Sequence, residues 1–135
     1  MRFAILFLAL ASALSAAEPN LPRQAPPRCA ARTNPMTGDS RAQRAGAKLY
    51  ERECAACHGA GAGGIGKAPS LRQAGVSQAK PGALYWIVEN GAIFHGMPSF
   101  AHLPEQERWQ IVTFLQSLNT RQVPDQPPSV SLRRP

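Results

Sequence analysis

This 135-residue chain predicts an all-helical fold, on three observations. Apolar residues recur at helical spacing in three separate stretches, and no stretch alternates convincingly like a strand. All eleven glycines lie between Gly38 and Gly96, whereas nine of the thirteen prolines lie before Gly38 or after Leu118. That split marks one folded unit over residues 38–118, with a proline-rich arm on each side. Three short helices in a unit of this size give a thin core, so something large and apolar has to fill its middle.

The chain opens on Met1-Arg2, a positive start, followed by an unbroken apolar run from Phe3 to Ser12. Ser15-Ala16-Ala17 then supplies small residues before Glu18. This reads as a secretory signal peptide over residues 1–17. The run is short for a membrane span, and the alternative is an uncleaved anchor that leaves the protein facing the periplasm. The arm at 18–37 and the tail at 119–135 have few apolar residues and no periodicity, and are predicted to be extended or disordered in isolation. Cys29, in Pro26-Pro27-Arg28-Cys29, is the odd cysteine of three. It reads as a free thiol on a flexible arm, the alternative being an intermolecular disulfide.

Ser40 with Gln43 three residues on fits a capping box for the first helix. Ala42, Ala45, Gly46, Leu49 and Tyr50 then recur on one face, and Gly46 leaves room there for another helix to cross. The helix runs into Cys54-Ala55-Ala56-Cys57-His58. Two cysteines at this spacing are shared by thiol–disulfide enzymes and zinc sites. The histidine in the next position points instead to covalent attachment of one c-type haem. Each thiol can form a thioether with one porphyrin vinyl group, and His58 is left to bind the iron through an imidazole nitrogen. A haem is also the filler that the thin core requires. Its attachment in bacteria occurs outside the cytoplasm, in agreement with export.

The following stretch contains two look-alikes. Gly61 to Gly66 fits G-x-G-x-x-G, and Gly61 to Lys67 fits most of a phosphate-binding loop. Neither has a strand before it, Ala68 stands where a hydroxyl would bind Mg²⁺, and Pro69 follows. The stretch reads as a permissive loop passing close to a flat ligand. A second helix is predicted from Pro81 to Asn90, with Gly91 as its stop. Leu84, Ile87 and Val88 form its apolar stripe. The last helix starts near Pro104, with Glu105 and Glu107 at its positive end. Trp109, Ile111, Val112, Phe114, Leu115 and Leu118 give it a broad apolar face.

Between these helices lies the loop Ala92–Phe100, which holds the favoured second iron ligand. Met97 sits between Gly96 and Pro98, and a thioether paired with imidazole gives low-spin iron with a raised potential. His95 is the rival ligand, its other role being that of an exposed loop histidine. His102 is a further candidate, and Met36 reads as a tail residue. The formal net charge is +7. Such a charge suits an acidic redox partner or an anionic membrane surface. The cations are scattered and the chain is exported, so nucleic acid is not expected.

Residues 38–118 resemble a small class I monohaem c-type cytochrome. Gly46 and Tyr50 resemble the first-helix pair that packs on the last helix, and Ile111 and Phe114 resemble its partners there. Pro69 resembles the proline whose carbonyl accepts a hydrogen bond from the ligand histidine, and Gly96-Met97-Pro98 resembles the methionine loop. The resemblance implies a cytochrome c-like fold, with three main helices and loops wrapped round one covalently attached haem c. It implies a periplasmic one-electron carrier rather than an enzyme. Its donor would be a dehydrogenase or a quinol-oxidising complex of a respiratory chain, and its acceptor an oxidase or another cytochrome. Tyr85, Trp86 and Trp109 stand as propionate-binding candidates, packing being the plainer role of each. The arms, Cys29 and Arg133-Arg134-Pro135 have no counterpart in the family. They favour an alternative in which the chain docks through its arms as the cytochrome subunit of a larger periplasmic oxidoreductase. The other alternative is a haem protein with an open sixth site, peroxidase-like or gas-binding.

Overall fold

Helix formation in this chain follows local signals, and the computed structural model, which describes residues 21–118, shows six α-helices among them. These are α1 (Pro27–Ala30), α2 (Ser40–Glu53), α3 (Ala55–His58), α4 (Ala74–Ser77), α5 (Pro81–Asn90) and α6 (Glu105–Ser117). Two 3-10 turns accompany them, at Leu21–Gln24 and Ile93–His95. Pairing of the β type among the described residues is confined to two isolated bridges, Ile65 with Ala68 and Ala92 with Met97. The signal peptide over residues 1–17 and the tail at 119–135 lie outside the described residues. Among the described residues no helix is long and apolar enough to cross a membrane.

The three long helices are those the periodicity predicts. Pro81 occupies the first turn of α5, and Gly91 ends it in a positive-φ conformation (φ 72°). Glu105 and Glu107 lie in the first turn of α6, where the helix dipole favours negative charge. The start of α2 differs from the reading. Asp39, not Ser40, is the N-cap, and its carboxylate accepts from the backbone N–H groups of Arg41 (2.7 Å) and Ala42 (3.2 Å). Those two bonds, led by the one from Ala42, hold the Asp39 carboxyl below the usual carboxylate range. A charged acceptor at the positive end of a helix outcompetes the adjacent hydroxyl.

Helices α2 and α6 form the central pair. A β-carbon on Gly46 would lie 1.9 Å from the Gln110 carbonyl oxygen and 3.0 Å from Phe114 Cβ, so the two backbones touch there. One turn on, the rings of Tyr50 and Phe114 meet at 5.2 Å between centroids. Leu49, Tyr50, Ile111, Phe114 and Leu115 build the larger apolar cluster together with Val88 of α5 and Leu103. A second cluster joins Leu84 and Tyr85 of α5 to Trp109 and Val112 of α6, with the Tyr85 and Trp109 rings 4.3 Å apart.

Upstream of residue 38 the structure differs from the extended arm expected there. Helix α1 packs on α5, and Met36 lies against the second cluster. Arg32 stacks over Tyr85 (4.4 Å) and Trp109 (5.2 Å) while pairing with Glu105 at 2.6 Å. Buried Asn34 donates its Nδ2–H to Thr113 Oγ1 (2.9 Å) and accepts from the Met36 N–H (2.9 Å). A few polar and cation–π contacts fasten this segment, and such contacts leave no hydrophobic period to read. Cys29 consequently sits half-buried and unpaired on α1, not on a flexible arm.

Asn34→Ala should lower the unfolding free energy of the haem-loaded protein by about 1–3 kcal/mol, since it strips a buried hydrogen-bond partner from Thr113. Denaturant titration checks this. A loss below about 0.5 kcal/mol, the level of a surface substitution, would show that the segment contributes little.

Candidate functional site

The chemistry-bearing residues gather where α2 ends. Cys54 closes α2 and starts the single turn of α3, in which the His58 N–H bonds the Cys54 carbonyl at 2.9 Å. His58 is buried, and its Nδ1–H donates to the Pro69 carbonyl oxygen at 2.9 Å. A carbonyl can only accept, so this bond fixes the tautomer and leaves the Nε2 lone pair for a metal.

The loop between His58 and Pro69 is folded to make that bond. Tyr50 Oη donates to the Gly59 carbonyl at 2.7 Å, and the Gly64 N–H donates to the His58 carbonyl at 2.8 Å. At Gly64 (φ +86°) a β-carbon would lie 2.7 Å from the Ala68 carbonyl oxygen and 2.9 Å from the Pro69 carbonyl carbon. The tight glycine itself admits the backbone around Pro69, and the end of the loop lines the neighbouring cavity through Lys67, Pro69, Ser70 and Leu71.

That cavity has a volume of about 590 Å³, within the roughly 300–1,000 Å³ of sites that hold cofactor-sized molecules. Cys54 and His58 form one part of its wall, and Leu84, Ile87 and Val88 of α5 another. Ile111 and Leu115 come from α6. Phe94, His95, Gly96 and Met97 come from the loop after α5. This loop is a tight return. Ala92 and Met97 exchange backbone hydrogen bonds of 2.9 and 3.2 Å, and the Phe100 N–H donates to the Val88 carbonyl at 3.0 Å.

Cys54, His58, Pro69 and Met97 are thus brought to one cavity, and so is His95, which is otherwise exposed. Cys57, in the same turn as His58, is exposed and does not line the cavity. Met36 and His102 do not line it, nor do Tyr85, Trp86 and Trp109. Tyr85 and Trp109 are buried packing residues, and the Tyr85 hydroxyl accepts from Arg108. Pro22, Lys67 and Gln73 line the cavity without any signal in the sequence that marks them. Lys67 was hidden inside the phosphate-loop look-alike.

Burial pushes the free Cys54 thiol up to about 11, with the Glu53 and Cys57 charges adding to the shift. A thiol–disulfide enzyme needs the opposite shift, toward a reactive thiolate. No group of three or more His, Cys, Asp or Glu side chains able to hold a metal ion occurs among the described residues. An apolar cavity with Cys54 and a tautomer-fixed His58 in its wall, and with Cys57 in the same helical turn, fits a covalently attached haem.

Residues 41–115 match the family model described as Cytochrome C oxidase, cbb3-type, subunit III. The fold is similar to the crystal structure of cytochrome CL from the marine methylotrophic bacterium Methylophaga aminisulfidivorans, with a TM-score of 0.55 and 26% identity. That match covers 63% of this chain and 58% of the other. Comparison with curated proteins gives no match.

Burial raises the Tyr50 hydroxyl from the ordinary value of 10.0 to about 12. A raised folded-state value means that the contribution of Tyr50 is full below pH ~10 and is lost as pH climbs through ~12. Thermal unfolding measured across that window should steepen in the parent protein. Tyr50→Phe should flatten the pH dependence, and equal slopes for the two would refute this role.

Proposed function

Because the chain belongs to the family of cytochrome c oxidase, cbb3-type, subunit III, a family of c-type cytochrome domains, we propose that it is a periplasmic one-electron carrier with His58 and Met97 as axial ligands. Cys54 and Cys57 provide the two thioether sulfurs, and one haem c is held per chain. The observation that carries this reading is the single apolar cavity whose wall includes Cys54, His58, Pro69 and Met97, which come from separate elements of the chain.

Haem c held by imidazole and thioether supplies a one-electron iron couple of raised potential. The protein supplies the rest. Pro69 orients the His58 ring and raises its basicity through the Nδ1–H bond. The paired backbone of Ala92 and Met97 holds the methionine loop in one conformation, so electron exchange needs little rearrangement. Leu84, Val88, Ile111 and Leu115 keep water from the iron. Exposed Phe94, next to Ile93, stands at the cavity edge as an apolar docking point. With a net charge of +7, it suits a redox protein whose docking face is acidic. Donors of the dehydrogenase or quinol-oxidising class, and acceptors of the oxidase or cytochrome class, meet these requirements.

The description of the matched family as an oxidase subunit favours a second reading, in which the chain works as the cytochrome subunit of a larger periplasmic oxidoreductase. Mass determination of the native particle distinguishes the two. A carrier runs as the free chain, and a subunit runs with its complex.

Absorption spectra test the ligand set. The parent should show sharp reduced c-type bands and the weak long-wavelength ferric band of an iron–methionine bond. Met97→Ala should lose that band, bind external ligands and fall in midpoint potential by on the order of 0.1 V, a fraction of the ~0.8 V that axial ligation spans. An unchanged potential would remove Met97 from the site. A parent without the methionine band would favour His95 or an open sixth position.

A further inference from the structure

Arg108, in the first turns of α6, is a buried cation outside the cavity. Its Nε–H donates to Tyr85 Oη at 2.9 Å, and Nη2 donates to the same oxygen at 2.6 Å and to Glu89 Oε1 at 3.0 Å. Nη1 donates to the carbonyls of Ala101 (3.0 Å) and Leu103 (2.6 Å). A guanidinium has five N–H donors, and all five are used. Two of the acceptors belong to α5, and two belong to the segment through which the Met97 loop returns to α6.

Besides Arg108, the return segment is tied to α5 by the Phe100 N–H, which donates to the Val88 carbonyl at 3.0 Å, and by a serine at its start. The Ser99 hydroxyl donates to the Glu89 carbonyl (2.5 Å) and accepts from the Ala101 N–H (3.2 Å), and the Leu103 N–H bonds the Phe100 carbonyl (3.0 Å). Ser99, Glu89 and Ala101 therefore lie in one network with Arg108. The network grips the chain directly beyond Met97, while the Ala92–Met97 bridge grips it before and at Met97.

We infer that Arg108 is a positioning residue for the second axial ligand: it clamps Ala101–Leu103 to Tyr85 and Glu89 and so holds the Met97 loop closed over the cavity. This rests on the reading that Met97 binds the iron. A lysine keeps the charge but offers three donors from one point, and cannot span two carbonyls, a phenol and a carboxylate together. Tyr85→Phe removes one acceptor that serves two of the five donors and keeps the aromatic packing against Trp109.

The experiment compares the parent, Arg108→Lys and Tyr85→Phe as haem-loaded proteins by ferric absorption, midpoint potential, imidazole titration and thermal melting. The parent should show the iron–methionine band and weak imidazole binding. Arg108→Lys should weaken or lose the band, lower the midpoint and bind imidazole about tenfold more tightly, the factor that ~1.4 kcal/mol of loop loosening gives. Tyr85→Phe should move all three readouts in the same direction by less. Lower melting temperatures with unchanged band, midpoint and imidazole affinity in both variants would overturn the inference, since Arg108 would then only stabilise the fold. If Arg108→Lys acquires no haem, an unchanged band in Tyr85→Phe overturns it alone. A parent without the band overturns the Met97 reading and this inference with it, and that result is separate because it is seen before any variant is compared.

Discussion

The contact of the α2 and α6 backbones at Gly46 is the constraint on which the rest of the structure depends. With no side chain at the crossing, Gln110 and Phe114 come up against the helix itself. The dense contact that follows adds dispersion energy to a core with little area to bury. The geometry then propagates. Tyr50, locked on Phe114, aims its hydroxyl at Gly59 and so sets where the chain leaves His58. Ile111 and Leu115, on the same helix as Phe114, form cavity wall. A wider crossing would move the histidine and the wall apart together.

What the sequence made legible is what local patterns encode. Helices α2, α5 and α6 each carry an apolar stripe, and Pro81, Gly91 and Pro104 mark their ends within a residue or so. Cys54 and His58 stood out through their shared motif and Met97 through its Gly-Met-Pro loop, whereas Pro69 came only through the family resemblance; the structure brings all four to one cavity. The segment at 21–37 was not. Its hold on the domain comes from Arg32 on two rings, Asn34 on Thr113 and Met36 on a cluster, contacts that involve partners some fifty to eighty positions away. The single turns α3 and α4 are too short to have a period. Gly64 was visible as a glycine, yet its task of admitting the Pro69 backbone depends on a loop path that the sequence does not spell out.

The two candidate axial ligands are held by different means. His58 sits in a helical turn, with its ring fixed by one bond to a carbonyl from a self-packed loop. Met97 rides on a return whose outer side is exposed, for Ile93 and Phe94 face solvent. Such a loop has few apolar contacts of its own, and segments of that kind open at low free-energy cost. An apolar surface open to solvent and a loop held in one conformation therefore make opposite demands on the same residues.

Arg108 reconciles these demands from behind. An apolar residue there could fill space, but it would leave the carbonyls of Ala101 and Leu103 without donors. Burying a cation is costly, and a buried ion pair gives little net stability even with Glu89 in place. Its benefit lies in direction. Five hydrogen bonds of fixed geometry, three to α5 and two to the return segment, define one position for that segment, whereas apolar packing would accept several. Under the proposed ligation, a methionine that must not move between two oxidation states needs that single position more than it needs extra stability.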